Sequence, residues 1–333
     1  MVVVTGGTGL LGSHLLAELS KGDKIIRAIY RDEQRIEHVK KVFSFYYGPT
    51  YESQFNRIQW IQGDILDVPS LEEAFEGAET VYHCAGFVSF ARRDFFRCMK
   101  INREGTANVV NVCLSAGVKT LCHVSSTAAL NGKQYELNTE DTGWRQTGTG
   151  SGYAISKYSA EKEVWRGVEE GLNCVIVNPC LIFGSGSWEE SSLTIFRTIS
   201  KGLRFYTSGS NAIVDARDVA EIMVRLANSS IRNERFLCTG ENITFRELMT
   251  KIALRLDKRP PTISTPRFLL GLVWRAAALI ALFRGKSPTI NRETARNAFS
   301  NMSFDNSKIR GMLNFNFRNA DEMIDNTVRG RLD

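Results

Sequence analysis

Tyr153 and Lys157 stand four residues apart in Tyr153-Ala154-Ile155-Ser156-Lys157, a spacing that puts two side chains on one face of a helix. A free phenol, with a pKa of about 10, is a poor proton donor or acceptor at neutral pH. An ammonium held beside it stabilises the phenolate and brings its pKa toward the working range. Alone, the spacing is common and describes any amphipathic surface helix. Ser125-Ser126-Thr127 closes a strand-like run, and hydroxyls there either cap backbone groups or hold a carbonyl oxygen while Tyr153 protonates it.

The N-terminal run Val2–Thr5 leads straight into Gly6-Gly7-Thr8-Gly9-Leu10-Leu11-Gly12, followed by an apolar helical pattern over Leu11–Leu19. Glycines 6, 9 and 12 supply a tight turn, a bare backbone where a pyrophosphate approaches, and close helix–strand packing. The helix start adds unpaired N–H groups and the positive end of a dipole. Strand, turn and helix come in the order that dinucleotide binding requires. Gly148-Thr149-Gly150-Ser151-Gly152 lacks a preceding strand and reads as a loop. At the end of the second strand an acidic side chain selects NAD and an arginine accommodates the extra phosphate of NADP. Tyr30-Arg31-Asp32 offers both. Arg31, with Arg27 and Arg35 near it, favours NADP, while Asp32 keeps NAD open. Gly63-Asp64-Ile65 closes the third strand, where Asp64 either meets the adenine edge or caps a helix.

Short β-branched runs alternate with longer helical patterns, which predicts an α/β fold with a Rossmann-type doubly wound parallel sheet. Six strands are expected, at Val2–Thr5, Lys24–Tyr30, Ile58–Gln62, Thr80–Cys84, Thr120–Ser125 and Cys174–Asn178, with helices over Ser70–Phe75, Asn102–Ser115 and Tyr153–Glu170. Residues 1–180 form the cofactor-binding domain, with late elements near 211–240 returning to it. Residues 181–210 and 241–333 form a smaller C-terminal substrate lobe. The aromatic-rich stretch from Asp32 to Asn56 reads as a helix plus a packed loop.

Of 333 residues, 43% are apolar and the net charge is +6, so the chain is neither disordered nor uniformly basic. The thirteen basic and six acidic residues from Lys258 onward carry +7, leaving −1 for the rest. A nucleic-acid surface needs a basic stripe along its contact face, and none is expected. Seven cysteines without a C-x-x-C pair, and histidines at 14, 38, 83 and 123 without ligand spacing, predict neither a disulfide framework nor a metal site. The N-terminus has no signal-peptide pattern, so a cytoplasmic protein is expected. The apolar run from Phe268 to Phe283 would reach about 24 Å as a helix, short of a hydrocarbon core of roughly 30 Å, and carries Arg275 near its middle. It reads as a helix buried against the substrate lobe or a neighbouring subunit. Because Arg267, Arg284 and Lys286 flank it, the alternative is peripheral membrane contact through 267–286.

With these motifs in this order, the chain resembles the extended short-chain dehydrogenase/reductases of the NAD-dependent epimerase/dehydratase superfamily, most closely the dihydroflavonol-reductase and hydroxysteroid-dehydrogenase group. The resemblance rests on the glycine turn, Gly63-Asp64, His83-Cys84-Ala85-Gly86, Asn102-Arg103-Glu104-Gly105-Thr106, Val124-Ser125-Ser126, Tyr153 to Lys157, Asn178-Pro179 and Val214-Asp215-Ala216-Arg217-Asp218. It implies Tyr153 as general acid/base, Lys157 on the nicotinamide ribose and lowering the tyrosine's pKa, and Ser126 orienting the carbonyl. Ser126 is the second of a serine pair five residues before Asn131; counting back from Gly132 selects Thr127 instead. Asn102 matches a residue that supports catalysis in many relatives. The cofactor would lie along Gly6, Thr8, Gly9, Leu10, Leu11, Gly12, Arg31, Asp32, Asp64, Ile65, Cys84, Ala85, Gly86, Ser125, Pro179, Leu181 and Ile182, besides Tyr153 and Lys157. A homodimer is expected.

Relatives acting on nucleotide sugars usually carry an arginine just before the sixth-strand asparagine and an Arg-Asp-Phe-type segment further on. Here those stretches read Val175-Ile176-Val177-Asn178 and Ser210-Asn211-Ala212-Ile213-Val214-Asp215, without a basic anchor. The resemblance therefore implies NAD(P)H-dependent reduction of a ketone or aldehyde, or oxidation of the matching alcohol, on a small apolar substrate. A nucleotide-sugar epimerase or dehydratase with retained NAD, and a non-catalytic NAD(P)-binding interaction protein, are the alternatives.

Overall fold

The β-branched runs become strands whose successive residues face opposite sides of one sheet. In Val2–Thr5, Val2 and Val4 pack into one apolar cluster and Val3 into the other, the period-two alternation of a strand covered on both faces. The computed structural model describes residues 1–144, 151–268, 275 and 292–332. The main sheet contains β1 (Val2–Thr5), β2 (Ile26–Tyr30), β3 (Ile58–Gln62), β4 (Thr80–His83), β5 (Thr120–Val124), β7 (Cys174–Pro179) and β11 (Glu234–Cys238). Its order is β11-β7-β5-β4-β1-β2-β3, parallel throughout. The chain winds outward from β1 to β3, then crosses to β4 on the other side of β1. That reversal opens a crevice above the carboxyl ends of β1 and β4, where open α/β sheets bind ligands.

One face of the sheet is covered by the helices Leu10–Leu19 and Ala216–Asn228 through Leu15, Leu16, Val219, Ile222 and Met223. The other is covered by Val68–Phe75, Gly105–Ser115 and Gly152–Glu169 through Leu71, Val109, Val110 and Val164. Two expectations are corrected. The sheet has seven strands, not six, because Glu234–Cys238 opens on Glu234 and Arg235 and so lacks the apolar run of a central strand. The helix expected from Asn102 begins earlier: Phe95–Cys98 and a π-helical turn, Met99–Glu104, precede Gly105–Ser115. Between β2 and β3, the helix Ile36–Tyr47 and the short helix Tyr51–Phe55 pack Phe43 edge-on against Phe55.

A second, three-stranded sheet, β12 (Glu241–Thr244), β10 (Ser210–Asp215) and β8 (Leu181–Phe183), lies beyond β7. Two short pairs complete the strands, β13 (Ile263–Ser264) with β9 (Phe205–Tyr206) and β14 (Ser303–Phe304) with β6 (Leu137–Asn138). A third cluster, including Phe183, Trp188, Phe196, Leu248 and Met323, fills this side. The helix Ala320–Arg329, started by a reciprocal Asn319–Glu322 cap, closes over it. Residues 145–150 and, apart from Phe268 and Arg275, the apolar run with its flanking Arg284 and Lys286 lie outside the described residues. No described helix is long and apolar enough to cross a membrane.

Candidate active site

The glycine turn at the end of β1 is built for close approach. Gly6 has φ +70°, and a Cβ there would lie 2.5 Å from the Ala85 nitrogen. A Cβ on Gly12 would meet the Gly6 carbonyl oxygen at 2.1 Å. The helix that follows starts at Gly9 without a side-chain cap and with no acidic residue in its first turn. Its amide dipoles are thus left to an external anion, and a dinucleotide pyrophosphate fits this bare cradle. The turn lies against Cys84 and Ala85, just past β4.

At the end of β2 the three arginines part company. Arg27 turns back to donate to the Ala74 and Glu76 carbonyls at 2.8 and 3.1 Å. Arg35 is held by both oxygens of Glu190 at 2.9 Å. Arg31 stays 65% exposed, 3.6 Å from Asp64, and is the member of the set free to turn toward a phosphate. The help expected from Arg27 and Arg35 is therefore corrected. Asp32 Oδ1 accepts from the Gln34 N–H at 3.0 Å, starting a short helical turn. Asp64 Oδ1 likewise accepts from the Leu66 N–H at 2.9 Å and closes a turn; the helix that follows is entered at Asp67, so Asp64 is not its cap. The Ile65 side chain is buried against Gly105.

Tyr153 and Lys157 lie in the first turns of the helix Gly152–Glu169, which Ser151 caps by accepting from the Ala154 N–H. The Tyr153 hydroxyl lies beside that of Ser126, just past β5, close enough for the serine to favour the phenolate. Ser126 Oγ also accepts from the Ala128 N–H at 3.1 Å. Thr127 opens a 3-10 turn and is buried, and Ser125 Oγ is buried with no hydrogen-bond partner among the described residues. Lys157 Nζ donates to the Val124 carbonyl at 2.8 Å. Burial pulls its pKa down to about 8, with Glu161 and Cys84 acting against it. Tyr153 moves the other way from the expectation. Burial pushes it up to about 12 despite Ser126, so the surrounding protein favours the protonated phenol, the form a proton donor needs.

Asn102 is 1% exposed in the π-helical turn. Its amide donates to the Phe87 carbonyl at 2.9 Å and to Ser156 Oγ at 2.8 Å, and its Oδ1 accepts from the Phe87 N–H at 2.7 Å. It clamps the segment after β4 to the tyrosine's helix. Sequence reasoning missed that segment: the Phe90 ring meets Tyr153 edge-on at 5.6 Å between centroids. Pro179 is buried at the end of β7, and Leu181 and Ile182 are half-buried on β8. His83 is satisfied by Thr5 at 2.7 Å and Thr106 at 3.0 Å, a packing role. Among the described residues no group of three His, Cys, Asp or Glu is placed to hold a metal.

A family model described as the NAD dependent epimerase/dehydratase family matches residues 2–238. Sterol demethylase protein B of Methylococcus capsulatus is 28% identical over 93% of this chain and 92% of its own. A putative dihydroflavonol 4-reductase of Synechocystis is 24% identical over 92% and 87%, and an anthocyanidin reductase of Arabidopsis thaliana 28% over 77% and 80%. Among solved structures, gox2253 superimposes with TM-score 0.79 at 25% identity, covering 98% of this chain and 96% of that one. MoeE5 in complex with UDP-glucose and NAD gives 0.74 at 18%, covering 99% and 97%, a likeness of fold alone. The chain thus belongs to the NAD-dependent epimerase/dehydratase family, within the extended short-chain dehydrogenase/reductases, and is an NAD(P)-dependent enzyme.

Proposed function

We propose that the protein reduces a ketone or aldehyde on a small, largely apolar molecule, with Tyr153 as the proton donor. The observation that carries this is the Ser126 hydroxyl beside that of Tyr153, with Lys157 on the same helical face as the tyrosine. Ser126 Oγ receives the carbonyl oxygen where the tyrosine hydroxyl reaches it, and the proton moves from Tyr153 Oη to that oxygen as it gains negative charge. Lys157 sets the electrostatics of the phenolate left behind and binds the ribose hydroxyls. The nicotinamide dinucleotide, when bound, supplies the hydride. Its pyrophosphate is proposed to rest on the Gly6–Gly12 turn with Leu10 and Leu11, its nicotinamide end beside Ala85, Gly86 and Pro179. Arg31 supports NADP over NAD, because its guanidinium is 65% exposed and only loosely paired with Asp64 at 3.6 Å, whereas those of Arg27 and Arg35 are tied down.

Phe90 beside Tyr153 favours an apolar ring next to the reacting carbonyl. Arg217, which follows the Val214-Asp215 stretch where a nucleotide-sugar enzyme would carry its basic anchor, is committed to Asp215 at 2.7 Å. Incubating the purified protein with NADPH and a panel of aromatic and alicyclic ketones tests the reading. Stoichiometric NADPH oxidation with an alcohol product is expected. Isomerisation of a nucleotide sugar with the cofactor retained would instead establish the epimerase alternative.

A further inference from the structure

The helix Gly152–Glu169 carries a third polar residue in step with Tyr153 and Lys157. Glu161 follows Lys157 by four residues and is 2% exposed, so all three share the face turned toward the sheet. A carboxylate removed from water needs partners. Glu161 Oε1 accepts from Asn178 Nδ2 at 2.6 Å, and Oε2 from Arg235 Nη1 at 3.2 Å. The same Asn178 amide nitrogen donates to the Ser126 carbonyl at 3.0 Å. Arg235 gives its remaining donors to the Glu140 carbonyl. Residues from β7, β11 and the end of β5 thus meet on one buried carboxylate beneath the crevice.

Building on the roles assigned to Tyr153 and Lys157 above, we propose that Glu161 is a positioning residue of this site. Through Asn178 it fixes the backbone that carries Ser126, and it sets its negative charge one helical turn from Lys157 on the same buried face. Cys84 and His83 from β4 and His123 from β5 also face Lys157. Burial keeps that thiol protonated and both imidazoles neutral, so the charge acting on the lysine comes from Glu161. Arg235, reaching in from β11, opposes it.

Glu161→Gln keeps an acceptor for Asn178 and removes the charge, whereas Glu161→Met removes both. Arg235→Met removes the opposing cation from a half-buried position and leaves the carboxylate. Lys157 is followed by carbon NMR in protein carrying labelled lysine side-chain carbons, with Lys157→Arg giving the assignment, and turnover is measured against pH alongside. The expected result is a Lys157 midpoint lowered by about one pH unit in Glu161→Gln and raised in Arg235→Met. Glu161→Met should turn over about tenfold more slowly than Glu161→Gln below both midpoints, as Ser126 loses its support. Midpoints that stay put in both charge variants, or equal turnover in the two Glu161 variants, would overturn the proposal. If Tyr153→Phe keeps full turnover while the midpoints still move, the catalytic reading falls and the placement of Glu161 stands.

Discussion

The hydroxyls of Ser126 and Tyr153 lie beside each other, close enough for the serine to draw down the tyrosine's pKa, although one stands just past β5 and the other in the first turn of a helix that begins at Gly152. Neither residue can shift alone, since Ser126 is tied through its carbonyl to Asn178 and Tyr153 abuts Phe90. If this pair handles the proton, Tyr153→Phe should lower kcat by about 10³, within the range for losing a general acid, with NADPH affinity by fluorescence titration unchanged. Ser126→Ala should cost about 10². Thr127→Ala should stay within a few-fold of the parent, because it is Ser126 whose hydroxyl acts on that of Tyr153; the reverse order of losses would transfer the role to Thr127.

The pH dependence follows from Lys157. Its pKa in the folded protein is lowered to about 8 by burial, so the ammonium is present below that pH and lost above it. Tyr153, pushed up to about 12, stays protonated across the same range. Reduction should therefore hold level from pH 6 to 7.5 (approximate bounds set by that lysine) and fall about tenfold per unit well above pH 8. Lys157→Arg, with a guanidinium that does not titrate here, should lose the alkaline limb even where its rate is lower. An alkaline limb that survives in that variant would assign the titration to another group.

Cofactor choice tests the parting of the arginines. Arg31→Ala should weaken NADPH about tenfold or more and leave NADH nearly unchanged, because a guanidinium–phosphate pair is lost only from the phosphorylated cofactor. Arg27→Ala and Arg35→Ala should not alter the NADPH to NADH ratio, since their guanidinium groups are committed to the carbonyls after Val68–Phe75 and to Glu190. Direct titration of the three variants with both cofactors settles which arginine matters.

The features read correctly along the chain are the local ones. A glycine turn, a four-residue Tyr–Lys spacing and alternating apolar runs each depend on residues within one or two turns of each other, so the sheet, the crevice and Tyr153 with Lys157 were legible. What was not legible depends on strand register and on direction. Arg27, Arg31 and Arg35 look equivalent in sequence, but the first lies within β2, the second just past it and the third at the end of a helical turn, so they meet three different partners. Glu161, Asn178 and Arg235 meet only because β7 pairs in parallel with β11 and lies beneath the helix. Spacing reports the nearby ammonium and says nothing of burial, which is the largest influence on the pKa of Tyr153.

Asn102 offers the sharpest separation of structure from chemistry. Its side chain fills both the N–H and the carbonyl of Phe87 and reaches Ser156. Truncation leaves buried backbone groups unpaired, at a cost of about 1–3 kcal/mol each. Asn102→Ala should therefore lower stability in urea by about 2–4 kcal/mol and loosen the segment that carries Phe90. A residue that only holds this segment should raise KM for a bulky ketone more than it lowers kcat, and a small ketone should be less affected because it depends less on the Phe90 wall. Asn102→Asp keeps an acceptor for the Phe87 N–H and loses the amide donors, so it should fall between the two. Equal loss of kcat for large and small ketones, with stability unchanged, would return Asn102 to the proton-transfer machinery.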